Sequence, residues 1–176
     1  MSEAELRRQI KPRALPAEAI TITADTAERE ALAHRFGVSM IHALNAHVEL
    51  DEDDGAVVAK GRLIATVEQP CAVTREDFIY DVDEPIALRF VSAGSVPETA
   101  PDEEIELGSE DLDDITYEGE TIDLGEAIAQ TLGLAIDPYR EGPDAQTART
   151  KAGIVSDEDE ISDGPLAEAL AALKKD

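Results

Sequence analysis

One cysteine, Cys71, is all the thiol chemistry this chain has. No internal disulfide can form from it, and no cysteine-based zinc cluster. No apolar run is long enough to cross a bilayer, and the opening residues MSEAELRRQI lack the apolar core of a signal peptide. A cytoplasmic location without a membrane partner is therefore the default expectation. Bases are scarce, 15 against 40 acids, for a net charge of −25. Such a surface repels phosphate backbones, so little direct binding to naked nucleic acid is expected. The shortage is sharpest over residues 92–126, which hold thirteen acids and no base. Catalytic spacings are missing as well. Cys71 as a nucleophile would need a nearby base, and His34, His42 and His47 are not placed by spacing to supply one. The plainer reading of Cys71 is a small, half-buried turn residue. Nor do the three histidines fall on a metal-binding period. The acidic run 51–54 lacks the alternating ligands and terminal Glu of a calcium loop. No enzyme activity, metal or cofactor is expected.

What is present is a set of period-2 and period-3.6 patterns in 176 residues, enough for one domain with flexible ends. Residues 69–91, QPCAVTREDFIYDVDEPIALRFV, organise the rest. After the Cys71 turn, Phe78, Tyr80, Val82, Ile86, Leu88 and Phe90 share one parity, the mark of a half-buried strand. Pro85 should kink that strand or keep it at an edge. Upstream, Leu44, Ala46, Val48 and Leu50 alternate with polar residues, as do Val57, Ala59, Gly61, Leu63, Ala65 and Val67. Asp54-Gly55 is a favoured type I′ turn. If it joins them, Leu50 pairs with Ala59, Val48 with Gly61, Ala46 with Leu63 and Leu44 with Ala65, so the apolar face closes on itself. The same register sets Glu49 against Lys60 and His47 against Arg62, and Glu49 with the surrounding acids should neutralise those two bases. A slip of one residue would mix the faces. Gly61 is a natural place for a bend or bulge.

Two helices bracket this meander. Asp25 with Glu28 three residues on reads as a capping box for a helix to about Phe36, stopped by Gly37. Asp123 with Glu126 caps a second, over 124–135, with Leu124, Ala127, Ile128, Thr131, Leu132 and Ala135 on its apolar face. Short strands are expected at Ile20–Thr23, Ile115–Tyr117 and Thr121–Ile122. The fold class is then α+β: a strongly curved, barrel-like antiparallel meander of residues 20–23, 43–51, 56–68 and 77–91 with two packed helices. Around it lie a flexible arm over 1–19, an acidic linker over 92–114, and a mostly disordered tail over 140–176. In that tail Leu166, Leu170 and Leu173 align as a short helix over 165–175 that needs a surface to dock on, its own chain's or a partner's.

The turn cysteine in QPCAVTREDF, the following VDEPIALRFV, the acidic linker and ETIDLGEAIAQTLGLAIDPY together resemble the YceD family of large ribosomal RNA subunit accumulation proteins, over about Ile20 to Tyr139. The ending LAALKK is also similar. The resemblance implies a role in synthesis, processing or stability of the large-subunit ribosomal RNA and brings no catalytic residues. Where many members have a second cysteine three residues after the first, this chain has Thr74. A metal role in such relatives does not carry over. An acidic protein serving ribosomal RNA is expected to bind a basic ribosomal protein or a large-subunit precursor particle. The linker acids 98–114 would then form a flexible acidic clamp, the alternative being that the linker only keeps the protein soluble. Residues expected at the partner interface are Cys71, Arg75, Glu103, Glu104, Glu106, Asp123 and Glu126. Two rivals are an acidic inhibitor of a basic protein unrelated to ribosomes and a hydrolase using paired acids.

Overall fold

The structure, a computed structural model, describes residues 5–94 and 113–154. In chain order it contains β1 (Gln9–Ile10), β2 (Ile20–Thr23), α1 (Thr26–Phe36), β3 (Met40–Asp53), β4 (Ala56–Pro70), β5 (Asp77–Ser92), β6 (Asp113–Tyr117), β7 (Ile122–Asp123), α2 (Leu124–Ala135) and α3 (Ala145–Ala152).

The long hairpin forms in the expected register. Asp54 and Gly55 both take positive φ, 47° and 75°, as a type I′ turn requires. Leu50 then faces Ala59, Val48 faces Gly61, Ala46 faces Leu63 and Leu44 faces Ala65. All of these except Gly61 are buried, while Asn45, His47, Glu49, Lys60 and Arg62 on the other face are exposed. β5 returns along β4 without a register shift, Pro85 sitting opposite Arg62. β6 flanks only Leu88–Ser92. Pro85 thus lies where β5 is paired on one side, and its missing N–H costs the ladder little. Gly61 makes no bulge. A Cβ there would stand 2.0 Å from the His47 carbonyl oxygen, so glycine is required by close backbone approach. The irregularity falls instead between Ile41 and Ala43.

α1 has the full capping box: Glu28 N–H donates to Asp25 Oδ1 at 2.9 Å and Asp25 N–H to Glu28 Oε2 at 2.8 Å. Gly37, at φ 68°, ends it. Both helices bury their apolar stripes on the inner face of the sheet. Leu32 from α1, Leu124, Ile128 and Leu132 from α2, and Val48, Leu63, Val67, Ile86 and Phe90 from the strands form one core. Each buried Leu or Ile of this kind contributes roughly 1.5–3 kcal/mol.

The tertiary structure departs from the sequence reading in four places. The main sheet, ordered β2-β3-β4-β5-β6, is open, with β2 and β6 as edges, and does not close into a barrel. Its fifth strand, β6, runs parallel to β5. β1, within the expected arm, pairs with β7 (Ile10 opposite Ile122), and Leu6 is fully buried. A third helix, α3, stands in the expected tail and buries Ala145. Of the expected linker 92–114, Ser92 closes β5 and residues 113 and 114 open β6. The rest of that linker, apart from 93–94, and the expected helix over 165–175 lie outside the described residues.

Candidate functional site

The β4–β5 turn carries Cys71 and Arg75. Cys71 N–H donates to the Glu76 carbonyl at 2.9 Å and Arg75 N–H to the Cys71 carbonyl at 3.0 Å. Arg75 sits at φ 65°, a left-handed position unusual outside glycine. Cys71 is fully buried, not half-buried as expected. Its sulfur accepts N–H groups from Val73 and Thr74 at 3.4 Å each and from Gly142 at 3.2 Å. The Thr74 hydroxyl and then the Thr74 N–H lower the thiol pKa from 9.0 to about 7, with help from Gly142 and Val73 and against the effect of burial. No histidine is among the sulfur's partners within the described residues.

That sulfur is one of several ties holding residues 137–142 on this end of the sheet. Gln69, the buried polar side chain here, accepts the Tyr80 hydroxyl at 2.7 Å and donates to the Asp137 carbonyl at 2.8 Å. Arg140 lies 4.1 Å above the Tyr80 ring, and Tyr80 stacks on Phe78. Ala72 N–H donates to the Arg140 carbonyl at 3.1 Å. Gly142 passes so close to Phe78 and Cys71 that a Cβ would meet them at 3.0 and 3.4 Å. The geometry is that of a satisfied structural joint, with Cys71 as its hydrogen-bond acceptor.

Asp123 and Glu126 sit at the other end, at the N-terminus of α2. Asp123 Oδ1 accepts the N–H of Arg8 at 3.0 Å and of Glu126 at 3.3 Å. The Glu126 carboxylate takes both guanidinium nitrogens of Arg35, at 2.9 and 2.8 Å. Arg35 also reaches Glu5 at 2.9 Å. This pairing raises the Arg35 pKa and holds Glu126 below its ordinary value. Arg8 likewise grips Glu28. Both acids therefore fasten the N-terminal segment to the two helices. The structure does not bring Cys71 and Arg75 together with Asp123 and Glu126, and Glu103, Glu104 and Glu106 lie outside the described residues.

The third feature, missed as a unit in the sequence, is a concentration of exposed acids at the hairpin-tip end. Register places Ser92 beside the Asp54-Gly55 turn and Tyr117 beside Ser92. The exposed Asp51, Glu52, Asp53 and Asp54 therefore share one end with the exposed Glu118 and Glu120. Several of the bases are committed elsewhere. Arg62 pairs with Asp83, one of the surrounding acids, Arg89 with Asp114, and Arg149 with Glu141. Lys60 faces Glu49 across the ladder. Among the described residues no cluster of three or more His, Cys, Asp and Glu could hold a metal, and no helix is long and apolar enough to cross a membrane.

Residues 59–175 match the family described as large ribosomal RNA subunit accumulation protein YceD. No curated protein and no solved structure matches the chain.

Proposed function

The chain belongs to the YceD family, and from that membership we propose that it is a non-enzymatic ribosome biogenesis factor. It supports synthesis, processing or stability of the large-subunit ribosomal RNA by binding a basic ribosomal protein or a large-subunit precursor particle. Family membership carries this reading; the charge layout supports the choice of partner. Arg8, Arg35, Arg62, Arg89 and Arg149 already meet carboxylates of the same molecule, which leaves a phosphate backbone fewer free cations among an excess of acids. The acids at the hairpin-tip end face solvent, and the chain that follows β5 carries Glu103, Glu104 and Glu106 in its sequence. Such a surface attracts a basic protein quickly and loses it as salt rises. Asp123 and Glu126 contribute by holding the scaffold, and Cys71 and Arg75 by shaping the opposite end.

The test is pull-down of purified large-subunit proteins, and separately of naked large-subunit ribosomal RNA, over a salt series. Capture of one or more basic large-subunit proteins is expected. Changing Asp51, Glu52, Asp53, Glu118 and Glu120 to amides should weaken it and flatten its salt dependence. Tight binding to the naked RNA would overturn the scheme. Capture of only non-ribosomal basic proteins from a whole-cell extract would favour the inhibitor reading.

A further inference from the structure

At the end of the sheet away from the hairpin tip, α1 and the start of β3 frame an open groove of about 450 Å³. Its apolar part is Ala33, Val38, Met40 and Ile41, and Met40 is 49 % exposed in it. Its rim differs from the rest of this surface. Arg29 donates to the Ala24 carbonyl at 2.7 Å and to Thr26 Oγ1 at 3.3 Å, and meets no carboxylate in an ion pair among the described residues. His34 and His42 stand beside it, the latter 2.8 Å from Glu68, and Glu30 is the acid of the lining. On a chain of net −25 this is a near-neutral, apolar island.

The same end of the sheet is where the described chain runs out. Ser39, on the groove, bonds to the Glu68 carbonyl and the Asp77 carboxylate. The adjoining Cys71 turn holds Gly142, from which α3 leads to Ile154. The residues beyond include four consecutive acids, Asp157 to Glu160, then Asp163, then Leu166, Leu170 and Leu173 at i, i+4 and i+7. Residues 155–165 extended span up to about 36 Å, ample for the leucines to reach the groove.

We propose that residues 157–173 of the same chain occupy the α1–β3 groove, with the leucines on Val38, Met40 and Ile41 and the acids toward Arg29, His34 and His42. A tethered segment has an effective concentration of order millimolar without bimolecular cost. A free acidic partner or a second copy must approach against the repulsion of the whole charge. The groove is thus a docking site for an acidic, leucine-spaced segment, filled from within. This is independent of which ribosomal component the acidic end binds.

Oxidation of Met40 by dilute hydrogen peroxide, followed by peptide mass spectrometry on the full-length protein, reads the groove directly. The L166S/L170S/L173S protein should oxidise at Met40 several-fold faster than wild type, and wild-type protection should not depend on protein concentration. Equal rates would show an open groove and overturn the proposal. Protection that grows with concentration would assign the groove to a second copy and overturn it as well. Hydrogen exchange supplies the reverse view through an exposed position that tolerates change. Amides of residues 166–173 should be protected in wild type and lose that protection in Met40→Asp, whereas no protection in wild type would refute the docking.

Discussion

Gly61 lies directly across the β3–β4 ladder from Val48, and the strands approach so closely there that no side chain fits. A Cβ on Gly61 would stand 2.0 Å from the His47 carbonyl oxygen and 2.9 Å from the Val48 Cα. Both obstacles are backbone, which cannot swing aside as a side chain can. Gly61→Ala is therefore expected to lose at least about 1–3 kcal/mol, the usual cost of overpacking, seen as a lower urea midpoint. An unchanged midpoint would mean the two strands lie farther apart.

The N-terminal segment rests on a second contact of this kind. A Cβ on Gly125 would stand 2.3 Å from the Leu6 carbonyl oxygen and 2.8 Å from the Arg8 nitrogen. The Arg8 carbonyl also accepts Leu124 N–H at 2.9 Å. Gly125→Ala should push residues 5–10 off α2 while leaving the main sheet intact. Trypsin would then cut at Arg7 and Arg8 faster, about tenfold for each ~1.4 kcal/mol of lost docking. Cleavage at the wild-type rate would return these residues to the status of a loose arm.

Cys71 makes the joint at the other end sensitive to pH. Its folded pKa of about 7 lies below the ordinary 9.0, because the hydrogen bonds to sulfur favour the thiolate. A depressed acid stabilises the fold above its unfolded pKa and loses that stabilisation as pH falls to the folded one. Stability should thus rise from about pH 7 to about pH 9 and gain nothing from this group below pH 7. In Cys71→Ser, which does not titrate there, the rise should vanish. Urea midpoints across that window check it, and parallel curves for the two proteins would exclude a thiolate at the joint.

Much of the fold was legible because neighbouring residues determine it. The hairpin register follows from alternation on both strands plus a turn that needs positive φ at Asp54 and Gly55. Helix starts at Asp25 and Asp123 follow from side chains that reach only three residues on. The acidic end was half legible: the run 51–54 stands out, but its proximity to Glu118 and Glu120 is set by the parallel pairing of β6, which no local pattern announces.

By itself, then, the amino-acid order determined the hairpin, the capped helices, the apolar faces and the charge excess, since each depends on contacts within a few residues or on composition. Tertiary structure alone decided that residues 5–10 and 137–142 are built in, that the sheet stays open, and that Cys71 is an acceptor at a joint. It also separated Cys71 and Arg75 from Asp123 and Glu126. Those outcomes rest on contacts between residues far apart in the chain, such as Arg8 to Asp123 and Gly142 to Cys71. A polar or small residue shows the same local pattern whether its distant partner is there or not.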